Sequence, residues 1–315
     1  SMQLTPRLVL MLATPPAMWA TNAVVGRLAI GSMDPLWLNA IRWVVAFVLL
    51  LPLGWAALAT PAARAQIAAR WQYLAILGLI GVGAYNALQY MALRTSTPLN
   101  VTLIASSSPV WAMVVGALGY KVVPTRLQLI GAVLSLAGVA LVMSRGHPAA
   151  LADIQFVQGD LLMVLAIIGW QIYSWMLARP PAHMAGAARP AWNWAQFLVA
   201  QCVFGVAWAV GIAEVGDLIA PSAPAQWSWQ LGAAILFIAI GPSIIAYRLW
   251  GLAVAEAGPA MAAIFYNLTP LFAAILSAAV IGEAPQPFHG VAFVLIVAGI
   301  VVSSRTTARA AEAAK

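Results

Sequence analysis

The sequence predicts an all-α membrane protein: ten transmembrane helices in two inverted five-helix repeats, with the N-terminus and the C-terminus cytoplasmic. Three observations predict it. Of the 315 residues, 63% are hydrophobic and 7% charged, against roughly 25% charged in soluble domains, and the mean hydropathy is +0.93. Apolar runs of about 20 residues, enough to cross a bilayer as helix, recur from end to end. Landmark residues of the first half return in the second at a nearly constant offset.

Runs bounded by charges, Pro and Gly place the spans near 8–30, 35–55, 71–92, 99–120, 127–143, 159–178, 192–211, 229–251, 259–281 and 288–303. Only Arg94 to Pro98 separates the third from the fourth, and only Ala253 to Pro259 the eighth from the ninth, so a nine-span count is the error the sequence invites. Ten crossings of about 20 residues leave connections too short for a folded extramembrane domain. The opening Ser1-Met2 reads as one residue left by tag removal ahead of the native start, and Ser1 is set aside. The first apolar run is too long for a signal peptide and is kept as a span.

Orientation follows from Lys and Arg in the short loops. With the N-terminus inside, Arg7, Arg64, Arg70, Lys121, Arg126, Arg179, Arg189, Arg305, Arg309 and Lys315 are cytoplasmic. The other side holds Arg27, Arg94 and Arg145, with Asp34, Asp153, Asp160, Glu214, Asp217 and Glu283.

The repeat rests on Pro109 and Pro270, Pro124 and Pro285, and Gly138 and Gly299, each pair 161 positions apart. Gly81 and Gly241, and Tyr90 and Trp250, are 160 apart. Residues 1–148 and 149–315 are therefore predicted as two five-helix units. Five is odd, so the second copy enters from the opposite side, the architecture of secondary transporters with a midplane site between halves.

Composition also excludes. The net charge of +7 is scattered, with no basic patch interleaved with aromatics, so no nucleic-acid partner is expected. Cys202 stands alone inside an apolar run, without redox chemistry. There is no Walker A, Cys/His metal spacing, GxSxG elbow or HExxH helix, so ATP-driven transport by this chain alone and common hydrolase chemistry are disfavoured, and no cofactor or metal is expected.

Two similar halves, a Trp in the first span, Arg42 in the second, a Pro-containing fourth span and a Gly-rich fifth resemble the EamA-type members of the drug/metabolite transporter superfamily. Within it, Met18-Trp19-Ala20-Thr21-Asn22, Ala84-Tyr85-Asn86, Ser106-Ser107-Ser108-Pro109-Val110-Trp111 and Tyr266-Asn267-Leu268-Thr269-Pro270 resemble the YddG-type aromatic amino acid exporters. The resemblance covers essentially the whole chain. It implies a central cavity lined mainly by spans one, three, four, six, eight and nine, and export of amino acids across the bacterial inner membrane by a multi-pass protein. It also brings Asn22 into the candidate site.

The residues themselves point the same way, because polar atoms inside the membrane need partners and so face a cavity or another helix. Ser106, Ser107 and Ser108 precede Pro109, whose ring obstructs the Ala105 carbonyl. Trp111 follows, and span nine offers Tyr266, Asn267 and Thr269 around Pro270, making Pro109 and Pro270 candidate hinges. Loosened backbone, hydroxyls and helix-end amides can bind a zwitterion without a buried charge. The alternative is that such hydroxyls only back-bond to nearby carbonyls. Trp19, Trp170 and Tyr173 lie away from the interfacial belt and either stack on cargo or fill core volume.

Tyr85, Asn86 and Tyr247 complete the candidate ligands, with Tyr85 and Asn86 preferred over Tyr90, which lies 140° round the helix from Tyr85. Arg42 and Arg248 are intramembrane charges, each a functional candidate because burying it is expensive, yet the structural reading is preferred: Arg42 lies close enough to the start of its span to snorkel outward, and Arg248 lies near the cytoplasmic end of its own.

All eight carboxylates and the three His lie in or beside loops, tails or span ends, so no proton relay crosses the midplane and facilitated efflux through an uncharged cavity is expected. The first span lacks the carboxylate of the small multidrug-resistance branch. Exchange of sugar phosphates or nucleotide sugars would want two or more cavity cations. An intramembrane enzyme on lipid-linked substrates would want an acid-base pair or metal cluster. The expected partners are a small-molecule substrate and the bilayer, with a monomer as the functional unit.

Overall fold

The computed structural model describes residues 3–282 and 284–313, and among these the regular secondary structure is all helical, with no strand. Ser1, Glu283 and Lys315, used above to read the terminus and the charge balance, lie outside the described residues. The long helices are α1 (Pro6–Ile30), α2 (Pro35–Gly54), α3 (Trp71–Leu93), α4 (98–120), α5 (Arg126–Met143), α6 (Gln158–Ala178), α7 (Trp194–Ile219), α8 (Trp229–Ala257), α9 (Pro259–Val280) and α10 (Pro287–Ala313). A short helix, Pro61–Ala69, lies between α2 and α3.

Among the described residues, α2, α3 and α5 to α10 are each long and apolar enough to cross a membrane. The two parts of α4, meeting at 42°, make a ninth such stretch when joined. α1 has 25 residues, about 37 Å of helix at 1.5 Å per residue. Large apolar side chains such as Leu10, Val48, Val133, Leu165 and Val294 are exposed, while Gln171, Ser174, Ser243 and Asn267 are fully buried. Such an outer face matches acyl chains, not water.

Helix starts are written locally. Thr5, Asp34, Thr60 and Thr97 each precede a proline, and each side chain accepts hydrogen bonds from backbone N–H groups two or three residues on. The α8–α9 corner is one residue, Gly258, whose φ of +88° suits glycine, followed by Pro259 at the first helical position. That corner explains why the two spans look fused in the sequence.

Three predicted ends move. α7 continues to Ile219, α8 to Ala257 and α10 to Ala313, past the expected 211, 251 and 303. Glu214, Asp217 and Glu256 end the apolar runs but not the helices, because backbone hydrogen bonding continues where hydropathy stops. Asp217 accepts from the Trp37 indole at 2.8 Å and from Ser222, which holds the α7 end against the start of α2.

Both α3 and α8 contain a π-helical turn, Gly78–Gly83 and Ala239–Ile245, and these turns begin 161 positions apart. Lys121 and Gly282, left-handed residues that end α4 and the run after Thr269, are also 161 apart. α4 breaks at Ser107 with its bend of 42°, whereas α9 passes its own interruption at Asn267 and Leu268 as one span.

The pairs α2/α7 and α5/α10 each pack antiparallel. A Cβ on Gly54 would meet Ala195 and Val199, whereas one on Gly216 would meet Leu36. A Cβ on Gly131 would lie 2.0 Å from Ser303 Oγ and 2.7 Å from the Gly299 carbonyl, and one on Gly138 would press on Ile296 and Ala292. Small residues let these backbones approach closely, which in lipid replaces the hydrophobic drive.

Gly131→Ala is therefore expected to destabilise by about 1–3 kcal/mol, since backbone cannot yield as a side chain can. Gly119→Ala, where a Cβ meets nothing within 4 Å, should leave stability nearly unchanged. Thermal melting of both variants in the same detergent checks the contrast.

Candidate functional site

A chamber of about 280 Å³ lies among α1, α2, α3, α4, α6, α8 and α9. That is room for one small metabolite.

Trp19 and Asn22 enter it from α1, Tyr85, Asn86, Gln89 and Tyr90 from α3, Thr102 and Ser106 from α4, Trp170 from α6, Tyr247 from α8, and Tyr266, Asn267, Thr269 and Pro270 from α9. α2 adds Leu38 and Arg42.

One wall is a cluster of rings. Trp19 meets Trp170 edge-on at 5.6 Å between centroids, Trp250 at 5.5 Å and Tyr266 at 5.8 Å. Trp170 in turn meets Tyr85 and Tyr247, each at 5.5 Å. Such pairs contribute about 0.5–1.5 kcal/mol each beyond buried area, so the wall is stiff.

The polar ends of these rings, that of Trp170 excepted, are anchored. The Trp19 indole N–H donates to the Pro242 carbonyl at 3.0 Å, inside the π turn of α8. The Tyr247 hydroxyl donates to the Gly81 carbonyl, inside the π turn of α3. Tyr85 and Tyr266 share a hydroxyl hydrogen bond of 3.1 Å across the chamber. Asn86 Nδ2 donates to Asn39 Oδ1 at 3.0 Å.

Asn267 occupies the break in α9 and reaches the break in α4, donating to the Ser106 carbonyl at 3.0 Å and to Ser135 Oγ at 2.9 Å. Its Oδ1 is buried without a partner among the described residues, as is the Trp170 indole N–H.

Of the predicted site residues, Trp19, Asn22, Tyr85, Asn86, Ser106, Trp170, Tyr247, Tyr266 and Asn267 line the chamber, together with Pro270. Ser107, Ser108, Trp111, Tyr173 and Pro109 do not. The three serine hydroxyls back-bond to carbonyls three residues earlier, at Leu103, Ile104 and Ala105. The Ala105 carbonyl beside Pro109, expected to be free, is thus taken by Ser108. The Trp111 indole donates to Ser107 Oγ at 3.2 Å. Tyr173 stacks behind Trp170 at 5.0 Å, and its hydroxyl donates to Gln201 at 2.9 Å. It supports the wall from outside.

Two expectations are corrected by Arg42. It is only 3% exposed, so it does not snorkel to the span end. It lines the chamber, which therefore carries a charge. Arg248, by contrast, is half-buried and stacks over Trp194 at 4.9 Å. Tyr90 also lines the chamber, as does Gln89. The helix presents an arc of 140° to an extended cavity, so both tyrosines reach it without facing one point. Gln89 carried no signal beyond being a mid-span amide.

Asn267→Ala is expected to lower stability by about 1–3 kcal/mol, the cost of leaving the Ser106 carbonyl buried and unpaired. Ser107→Ala, which removes a local back-bond and one contact to Trp111, should cost less in the same melting experiment.

Comparison with known proteins adds a lineage. The EamA-like transporter family matches residues 7–144 and again 157–305. An uncharacterized transporter of Archaeoglobus fulgidus is 25% identical over 299 residues, 94% of this chain and 96% of its own. The inner membrane transporter YedA of Escherichia coli, also uncharacterized, is 22% identical over 90% of this chain and 86% of its own. A solved crystal structure at 20% identity covers 96% of this chain and 98% of its own, with a TM-score of 0.72.

Proposed function

The chain belongs to the EamA-like transporter family, and we propose that it exports neutral amino acids, aromatic and other apolar ones above all, by alternating access. It is a multi-pass membrane protein, and its small-molecule cargo passes between lipid-embedded helices. The observation that carries the finer reading is the chamber itself: one-metabolite volume, a wall of aromatic faces, and amide and hydroxyl groups beside them. Rings stack on an apolar or aromatic side chain, while hydroxyls and amides suit the α-amino acid backbone.

In this reading the ten helices all cross the bacterial inner membrane as two inverted repeats, 1–148 and 149–315, with both termini cytoplasmic and one copy functional alone. The antiparallel pairs α2/α7 and α5/α10 support the inversion, because equivalent helices of inverted repeats point oppositely. Contacts between Arg7 and Glu256 at 3.7 Å, and from Arg70 to the carbonyls of His183 and Ala188, support one common face for the expected cytoplasmic loops. The bend of 42° in α4, with no equal bend in α9, suits a cycle in which the two repeats exchange shapes, with Pro109 and Pro270 at the flexing points.

No Asp, Glu, His or Lys is among the lining residues, so facilitated flux down the cargo gradient is favoured over proton exchange. A single lining cation falls short of the pair that a sugar phosphate or nucleotide sugar would want. No catalytic role is assigned.

Counterflow of labelled phenylalanine in proteoliposomes tests the reading: uptake above empty liposomes is expected, and a Trp19→Ala chamber should lose at least tenfold of the rate. Flux no greater than empty liposomes for phenylalanine, methionine and leucine alike would sink it.

A further inference from the structure

We infer that Arg42 is the anion anchor of the chamber and that the cargo is recognised by a carboxylate on an apolar or aromatic body. The inference rests on the proposed transport through this chamber and deepens it by naming the group that must be present.

Arg42 comes from α2, a helix not expected to face the cavity, and its side chain is nearly fully buried. Its Nε donates to Ser243 Oγ at 2.9 Å, and that hydroxyl spends its proton on the Ile238 carbonyl at 2.7 Å, within the π turn of α8. Ser243 is thereby locked as an acceptor and fixes the guanidinium plane. The guanidinium also stands 5.6 Å from the Trp43 ring. Among the described residues no hydrogen-bond partner meets Nη1 or Nη2, and the only ion pair is that of Arg7 with Glu256. No carboxylate lines the chamber.

A guanidinium cannot shed its proton, and a charge within a membrane bundle is costly unless paired. Here the Nη1 and Nη2 fork remains for the end-on, two-point contact that a planar carboxylate makes. A purely structural tie between α2 and α8 would use Nε alone and would carry no preference among ligands. The distinction is therefore one of selectivity.

The test is isothermal titration of the purified full chain with phenylalanine, phenylalanine amide, 3-phenylpropionate and phenethylamine. Phenylalanine and 3-phenylpropionate are expected to bind at least tenfold more tightly than the amide and the amine. In Arg42→Gln that preference should fall below threefold, and in Arg42→Lys part of it should return. An amide bound by the unaltered chain within threefold of phenylalanine overturns the inference, with or without a folded variant. So does a folded Arg42→Gln that keeps the tenfold preference.

The two readings fail separately. Phenylalanine counterflow without carboxylate preference overturns the anchor and leaves the exporter. Binding of 3-phenylpropionate over phenethylamine, with no amino acid bound or moved, keeps the anchor and removes the exporter. No binding by any of the four overturns the anchor, and the absence of counterflow beside it overturns both.

Discussion

Inside a lipid-embedded bundle there is no bulk water to satisfy a polar atom, so every irregularity in the backbone must be met by a side chain. The interior of this protein is organised by that constraint. The π turns and the break in α4 present carbonyls to other helices, and each is taken by a donor from elsewhere: Pro242 by the Trp19 indole, Gly81 by the Tyr247 hydroxyl, Val82 by Asn39, and Ser106 by Asn267. Irregular helices and polar aromatic residues are two halves of one arrangement.

The chamber's character follows. Because the indole N–H of Trp19 and the hydroxyl of Tyr247 are occupied by carbonyls, the faces and edges of their rings are what remain to form the wall. A surface of anchored rings is stiff and apolar. The polar groups that the carbonyls leave over in the chamber lining include Asn22, Gln89, Thr102 and the guanidinium of Arg42.

Much of this was legible in the sequence, and the reasons for the remainder are physical. Trp19, Trp170, Tyr266 and Asn267 stand out because mid-span rings and amides need an explanation that lipid does not supply. Ser107 and Ser108 carry the same signal, yet a hydroxyl can satisfy itself on the preceding turn, and nothing in the spelling distinguishes that from facing a ligand. Arg42 was misread because distance from a span end says how far a side chain could snorkel, not which way it turns. The π turns left no mark beyond Pro242 and a few glycines, and the ends of α7 and α8 were hidden because charges stop a hydropathy run without stopping a helix. The antiparallel pairing of α5 and α10, by contrast, follows the landmarks that the sequence repeats, since Gly138 and Gly299 lie in that crossing.

One buried cation, rather than none or two, also fits the affinity a transporter can use. At 4 Å, opposite unit charges attract by about 4 kcal/mol when the effective dielectric is near 20, a gross term from which desolvation and the lost freedom of a cargo must still be subtracted. A second arginine would deepen the trap and favour multiply charged cargo. A chamber without any would leave the orientation of a zwitterion to stacking alone. On the proposed reading, the ammonium of a zwitterion would be repelled by the same guanidinium, which would weaken the hold further and turn such a cargo so that its carboxylate faces α2. The rings would then set which side chains fit, and a modest electrostatic attraction would let the cargo leave.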